Sequence, residues 1–377
     1  MTVSKARSTS SSQVRVFLIE PYYTGSHQAW ADGWKATSRH DVHLLTMEGR
    51  FWKWRMHGGP VTLAHQALEL ADEVGRPDVI VASSMLDLAT FLGLAGSQLG
   101  SPPSLLYMHE NQLTYPFSPR TRGEDLSYGF VNWRSMVAAD QILFNTHYHE
   151  DAFFDAVGPF LKNFPDYRQL HLIDRVRDKT AVIGVGIPIR TPGQIPSLPP
   201  LVLWNQRWEY DKDPIGMFEM LYAVDKQGID FRLALTGENF RQTPTEFEAT
   251  KQHFGDRIIQ FGYADAHQYD RLVSEADIVV STANHEFFGV GVAEAIAARA
   301  FPVLPRRLSY PELLPEQIHP VCLYDTPGQA VELLAASLTN PHHRSTITDI
   351  AGPSLERFAW PIIGEVYDEV IDHLAGP

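Results

Sequence analysis

An α/β protein with two parallel-sheet domains is the fold this sequence predicts, on three observations. The chain has 377 residues, more than one ordinary hydrophobic core organises, so two domains are the starting expectation. Short apolar-rich runs, such as residues 14–19 and 201–204, alternate with helix-like segments on both sides of a proline-rich break at 188–200. Apolar-rich strands of this kind belong to sheets covered on both faces. Residues 277–303 then run strand, polar loop, helix, strand, the order of a βαβ unit.

Composition narrows the function. Hydrophobic residues make up 44% and charged residues 20% of the chain, as in a globular enzyme. No run approaches the roughly 18 apolar residues of a membrane span. Residues 1–12 are polar and lack an apolar core, so a disordered tail is expected rather than a leader. The single cysteine, Cys322, forms no internal disulfide, which points to the cytoplasm. The net charge of −14 is unevenly placed: residues 1–190 carry 18 Lys and Arg against 19 Asp and Glu, whereas 191–377 carry 13 against 26. The second half repels polyanions over most of its surface; the first half has room for a local basic face.

Taken in order, residues 14–19 form a strand that ends in Glu20-Pro21-Tyr22-Tyr23-Thr24-Gly25-Ser26-His27, a loop before a helix at about 28–36. The loop lacks the G-x-G-x-x-G dinucleotide pattern. Residues 41–45 are a strand. Residues 49–59, GRFWKWRMHGG, set Arg50, Lys53 and Arg55 among Phe51, Trp52 and Trp54. Such a segment holds phosphates and stacks bases, or else buries its tryptophans in a core; both readings are open here. Residues 62–74 read as a helix and 78–82 as a strand, with a serine cap expected at Ser83 or Ser84 before the next helix.

A strand at 104–108 ends in His109-Glu110-Asn111-Gln112. Polar side chains that both donate and accept, grouped at a buried strand end, suit a sugar. A helix at 128–139 and a strand at 141–145 follow. His147 and His149 have no third ligand nearby in sequence, so no metal site is expected there. Residues 181–187 close the first domain, 13–187, and 188–200 form a stiff linker with five prolines.

The second domain, 201–355, opens on a strand leading to NQRWEYDKDP and a helix. Arg207 and Lys212 in a loop before a helix N-terminus suit a diphosphate. Strands at 231–235 and 258–261 end near Gly237 and at Tyr263-Ala264. In the segment 277–303, Glu286 and Glu294 bracket a glycine-bearing turn, Phe287 to Gly291, and Glu294 is expected about two turns inside the helix if that begins near Gly289. The helix start at Phe288, Gly289 and Val290 offers unpaired amides and a positive dipole end to a phosphate. Apolar residues at 362, 363, 366, 367, 370, 371 and 374 mark one face of a final helix within 356–377.

The pair Glu286 and Glu294 resembles the E-x7-E signature of retaining GT-B glycosyltransferases, and Arg207 and Lys212 resemble their phosphate clamp, with Asn205-Gln206 in place of the usual glycine. IEPYYTGSH, MHENQLTYP, the Tyr-Gly helix followed by FNT, WNQRWEYDKDP and HEFFGVGVAEAIAA together resemble the tRNA-queuosine α-mannosyltransferases. The resemblance implies a GT-B fold, two Rossmann-like domains facing each other across a cleft, with the last helix crossing back to the first. It implies transfer of mannose from GDP-mannose to queuosine in a tRNA anticodon with retention, without a metal or other cofactor. Glu286 would orient the donor sugar, Glu294 would bind ribose, Arg207 and Lys212 would stabilise the leaving diphosphate, and His109 would bind a sugar hydroxyl. Gly237, Tyr263, Ala264, Phe288, Gly289 and Val290 would complete the donor site. Glu20, Gly25, Ser26, His27, Asn111 and Gln112 would line the acceptor side. Arg50 and Arg55, with Lys53, Arg120, Arg122 and Arg134, would dock the tRNA. Two alternatives stand beside this: a hexosyltransferase for a small-molecule or lipid acceptor, and a catalytically silent module that binds nucleotide or RNA.

Overall fold

The computed structural model describes residues 13–116, 125–191, 198–237 and 245–376. The 1–12 tail, residues 192–197 of the linker, Arg120 and Arg122 lie outside these. Two six-stranded sheets carry the architecture, and every strand pairing in them is parallel. The first holds β1 (Arg15–Tyr23), β2 (Asp41–Glu48), β3 (Val79–Ser83), β4 (Ser104–Met108), β5 (Gln141–Phe144) and β6 (Thr180–Val182), in the order β2-β1-β3-β4-β5-β6. The second holds β7 (Leu201–Asn205), β8 (Arg232–Thr236), β9 (Ile258–Gly262), β10 (Ile278–Val280), β11 (Phe301–Pro305) and β12 (Leu323–Tyr324), in the order β12-β11-β10-β7-β8-β9. The strands are apolar because helices cover both faces: every residue of β3, β4, β10 and β11 is buried. The strand order reverses between β1 and β3 in the first sheet and between β7 and β10 in the second. At such switch points the neighbouring loops diverge and leave a crevice at the carboxyl edge.

Several element boundaries move. β1 runs to Tyr23, so Glu20 is a strand residue, and the following helix starts at Gly25 rather than near 28. Gly25, Ser26 and His27 are therefore its first turn, not a loop. The helix expected at 62–74 begins at Trp52 and continues through Gly58-Gly59-Pro60. Met56, Gly59, Pro60, Leu63, Ala64 and Ala67 form its buried stripe, and this packing outweighs the poor helix propensity of Gly-Gly-Pro. The cap expected at Ser83 or Ser84 is Asp87, whose carboxylate accepts from the Thr90 amide. Of residues 181–187, which close the first domain, only the first two belong to β6, which ends at Val182.

Contacts between the two sheets' layers fix where the carboxyl edges meet. The helix His147–Leu161 of the first layer presents its N-terminal amides to the Glu312 carboxylate of the second, with His147 and Tyr148 donating at 2.9 and 2.6 Å. Its cap Thr146 donates to the Phe287 carbonyl at 2.8 Å, and His149 stacks on the Phe287 ring. The last helix, Trp360–Ala375, packs on the first layer: Tyr367 lies against Trp34, ring centroids 4.2 Å apart, and donates to the Gly184 carbonyl. Asp368, buried on that helix, accepts from Ser38 Oγ and from the Arg39 amide at 2.8 Å. Asp368→Ala removes the acceptor from two donors and is expected to cost about 2 kcal/mol. A thermal melt should show Tm falling by several degrees, with Asp368→Asn, which keeps one acceptor oxygen, falling less.

Candidate active site

Residues beyond the carboxyl ends of strands in both sheets line one cleft of about 2260 Å³. Its second-domain wall comes from two loops that the reversal at β7 and β10 sets side by side. The Asn284 and His285 amides donate to the Asp211 carbonyl at 2.8 and 3.3 Å. Thr282 Oγ1 donates to the carbonyls of Lys212 and Asp213, each at 2.9 Å. The loop from β7 and the loop from β10 are thereby zipped into one surface.

Lys212 is the pin of that surface. Its side chain is 8% exposed, and its Nζ reaches the His285 carbonyl at 2.7 Å, Glu286 Oε2 at 3.2 Å and Asp211 Oδ2 at 3.3 Å. The first two are hydrogen bonds, and the third is an ion-pair contact with a buried carboxylate that accepts no hydrogen bond among the described residues. Glu286 Oε1 also accepts from the Phe287 amide. Arg207 is the more accessible cation, with its side chain 49% exposed. It donates to the Tyr115 hydroxyl across the cleft at 3.0 Å and lies 3.4 and 3.8 Å from Glu209 and Asp211. Burial opposes its charge, but Tyr115, Glu209 and Asp211 outweigh burial and raise the guanidinium above its ordinary value. His285, between the Tyr115 and Phe287 rings, is held down at about 4 by burial and then by Lys212, so it is neutral at pH 7.

The helix Val290–Ala297 starts at Gly289, whose φ of 87° suits glycine and no β-branched residue. No side chain caps this terminus, and Gly289, Val290, Gly291 and Val292 all line the cleft. An uncapped N-terminus on a cleft wall is a place for an anion. Glu294, 8% exposed, is the fifth helical residue, so it sits just over one turn inside and not two. Its Oε2 accepts from the Tyr269 hydroxyl at 2.9 Å and lies 3.4 Å from Arg190. Burial raises the Glu294 carboxyl above the usual range, while Arg190 and Tyr269 pull the other way.

On the first-domain wall, His27 and His109 line the cleft with their ring centroids 4.4 Å apart. Glu20, fully buried beneath them, accepts from His27 Nδ1 at 2.9 Å. Burial disfavours charge on His27, but Glu20 outweighs it and raises the imidazole above its ordinary value. His109 is held well below its ordinary value by burial, then by His27 and His149, and its buried Nε2 has no protein partner. A neutral imidazole with an unbonded nitrogen is suited to a ligand hydroxyl. Among the described residues, Glu20, His27 and His109 are also the group whose ligand atoms lie within 4.8 Å of one another, and they could hold an ion. His149 instead bonds Asn145 at 2.9 Å, and His147 is 74% exposed beside Glu150.

Comparisons with known proteins fit this geometry. Residues 15–187 match the family described as tRNA-queuosine alpha-mannosyltransferase N-terminal, and 188–351 match Glycosyl transferases group 1. The tRNA-queuosine alpha-mannosyltransferase of Drosophila melanogaster is 32% identical over 321 residues, 82% of this chain and 84% of that protein. The chain belongs to the tRNA-queuosine alpha-mannosyltransferase family. A second relative is the GDP-mannose-dependent alpha-(1-6)-phosphatidylinositol dimannoside mannosyltransferase of Mycobacterium tuberculosis (strain ATCC 25177 / H37Ra), 25% identical over 267 residues, 68% of this chain and 64% of that protein. The fold is GT-B. Sucrose-phosphate synthase from Thermosynechococcus elongatus superposes with a TM-score of 0.69 at 16% identity, covering 96% of this chain and 99% of that one. A glycosyltransferase from Rickettsia africae superposes at 0.68 with 13% identity, covering 96% and 98%.

Of the residues the sequence singles out, Arg207, Lys212, Glu286, Glu294, His109, Gly237, Tyr263, Phe288, Gly289, Val290, Gly25, Ser26, His27, Gln112 and Arg50 all line the cleft. Four do not. Asn111 is fully buried, and its Oδ1 accepts from the Leu113 and Thr114 amides, closing a turn. Glu20 acts from below through His27. Ala264 packs against the core beside Tyr263, and Arg55 donates to the Glu48 carbonyl at 3.0 Å outside the cleft. The Phe288 ring packs on Phe358, so only the backbone of that residue serves a ligand. Arg134 pairs with buried Asp87 and is not part of a free basic face.

Residues that sequence reasoning left unassigned include Tyr115, which meets both Arg207 and His285, and Tyr269 with Arg190 behind Glu294. Arg190 belongs to the interdomain linker and also bonds Asp270 at 2.8 Å. Proline-rich sequence around it signals only a connector. By opposing burial, Arg190 favours the ionised Glu294 that a ligand diol needs. Arg190→Ala is expected to weaken nucleoside diphosphate binding about tenfold at pH 7. The deficit should widen as pH falls and Glu294 takes up its proton, and Arg190→Lys should recover part of it. Titration calorimetry across pH 5–8 checks this; a pH-independent deficit would mean that Arg190 does not act through the carboxylate.

Proposed function

We propose that this protein transfers mannose from GDP-mannose to the queuosine of a tRNA anticodon, with retention of the anomeric configuration. The single observation that carries the reading is that Arg207, Lys212, Glu286 and Glu294 line the same interdomain cleft as the uncapped N-terminus of the helix Val290–Ala297. Family membership supplies the acceptor, and both mannosyltransferase relatives support the sugar.

The chemistry follows from the charges. The donor brings its own leaving group, a nucleoside diphosphate. Arg207 and the amides of Gly289, Val290 and Gly291 stabilise the charge that grows on the β-phosphate as the glycosidic bond breaks. Lys212 joins them by releasing Glu286, the more exposed of its two carboxylate neighbours, with 21% side-chain exposure against 0% for Asp211. Phosphate arrival thereby frees the Glu286 carboxylate to orient the sugar and to face the positive charge developing at its ring. Glu294 Oε2 is already engaged, which leaves Oε1 for a ribose hydroxyl. The acceptor hydroxyl approaches on the face from which the diphosphate leaves, and a phosphate oxygen takes its proton. His109 binds a sugar hydroxyl, and His27 with Gln112 and Ser26 bounds the acceptor side. Two cations and a helix terminus supply the counter-charge, so no metal is required.

Incubation with GDP-mannose and queuosine-containing tRNA should raise the mass of the released queuosine nucleoside by one hexose. Arg207→Ala should lower kcat by about 10²–10³. Turnover should survive chelation; a loss restored by a divalent ion would redirect attention to Glu20, His27 and His109. Transfer only to a small molecule or lipid would replace the acceptor assignment, and tight GDP binding without donor turnover would leave a silent module. Charge reversal at Arg50 should weaken tRNA binding and leave GDP binding intact. Loss of both, or of neither, would refute tRNA docking on that rim.

A further inference from the structure

The rim of the cleft carries a feature that folding alone does not explain. Phe51, the N-cap of the helix Trp52–Val74, has φ 53° and ψ 52°, its side chain caps nothing, and the residue is 76% exposed. A left-handed backbone is unfavourable for a bulky residue, and an N-cap without an acceptor satisfies no helix amide. Asparagine would serve stability better on both counts, and glycine on the first. One turn on, Trp54 is 62% exposed. A Cβ at Gly58 would lie 2.5 Å from the Trp54 indole, so this glycine lets the ring lie down on the helix with its other face to solvent. Between them, Lys53 Nζ lies 5.6 Å from the Trp52 ring and 5.5 Å from that of Tyr128. Arg50 is paired with Glu48 only at the surface, both side chains about two-thirds exposed.

Position ties these rings to the acceptor side. Glu48 to Lys53 line the cleft together with Thr24, Gly25, Ser26 and His27. The two stretches touch: a Cβ at Gly49 would meet the Thr24 side chain at 2.2 Å. Exposed rings that cost stability, cations between them, and a place beside the acceptor floor fit single-stranded nucleotides, whose bases stack on aromatics and whose phosphates attract Arg and Lys.

We infer that Phe51 and Trp54 form a stacking platform for unpaired RNA bases next to the nucleotide that enters the cleft, with Arg50 and Lys53 holding the intervening phosphates. The inference rests on the proposed transfer to tRNA and deepens it. Phe51→Gly removes the ring and relieves the backbone together. It should raise Tm by roughly 2 °C while raising KM for a queuosine-containing anticodon stem–loop about tenfold. Trp54→Ala should raise KM similarly, and Phe51→Trp should retain the wild-type value. All three should keep the GDP dissociation constant. Lys53→Ala should lower the slope of log KM against log salt by about one, whereas the ring deletions leave that slope unchanged.

Wild-type transfer to the stem–loop is read first, and its absence would remove the acceptor assignment and the platform with it. Transfer by wild type with unchanged KM in Phe51→Gly and Trp54→Ala overturns the platform alone. So does loss of binding to anionic phospholipid vesicles in those variants with RNA turnover intact, which would make the rings a membrane contact.

Discussion

The ammonium of Lys212 is the constraint on which the cleft depends. A buried cation is tolerated only where its charge is met, and here a backbone carbonyl and Glu286 accept from it while the Asp211 carboxylate lies 3.3 Å away as counter-charge. Those partners lie on different loops, one from β7 and one from β10. The charge therefore does structural work, holding the two loops as one wall, and the same geometry sets a carboxylate and a cation beside an open helix terminus. Taking Lys212 away would leave Asp211, a carboxylate with 0% side-chain exposure, with only Arg207 at 3.8 Å as its ion-pair partner. Structure and chemistry share this residue, so the wall is rigid where a charged ligand would press on it.

A second constraint works across the domains. Phe287 follows Glu286 directly, and it is gripped from the first domain by Thr146 and His149. The Glu312 carboxylate seats on the same helix N-terminus. The loop that bears the acidic residue is thus positioned by both lobes at once. The opposite side of the cleft is bridged more lightly, by Arg207 to Tyr115 and Tyr210 to the Pro116 carbonyl, with exposed partners. Contacts of that kind exchange readily for ligand. The asymmetry gives a firm seam near Glu286 and an openable one near Arg207.

The charge distribution agrees with a division of labour. The second domain is strongly acidic overall, and Arg207 and Lys212 set two cations on the cleft wall, where a small dianion can reach them. The first domain is near neutral and sets exposed Arg50 and Lys53 on the rim with Phe51 and Trp54. A polyanion approaching this molecule is repelled by one half and admitted along the other, which orients it toward the acceptor floor.

How much of this was legible beforehand can be read residue by residue. Apolar-rich strands, the proline-rich break and the segment 277–303 determined two parallel-sheet domains and placed Arg207, Lys212 and Glu286 in loops after strands and Glu294 on the helix that follows, because burial on both faces of a sheet leaves a one-dimensional signature. Local pattern does not report what a strand end touches. Only the tertiary structure decided that Asn111 closes a turn, that Glu20 lies under His27, that Arg55 turns away from the cleft, and that Arg190 from the linker backs Glu294. These outcomes depend on strand order and on side chains meeting across scores of residues, and spacing along the chain carries no record of them. The helix through Gly58-Gly59-Pro60 is the same lesson for the backbone: propensity argued against it, and the apolar stripe packed on the first sheet prevailed.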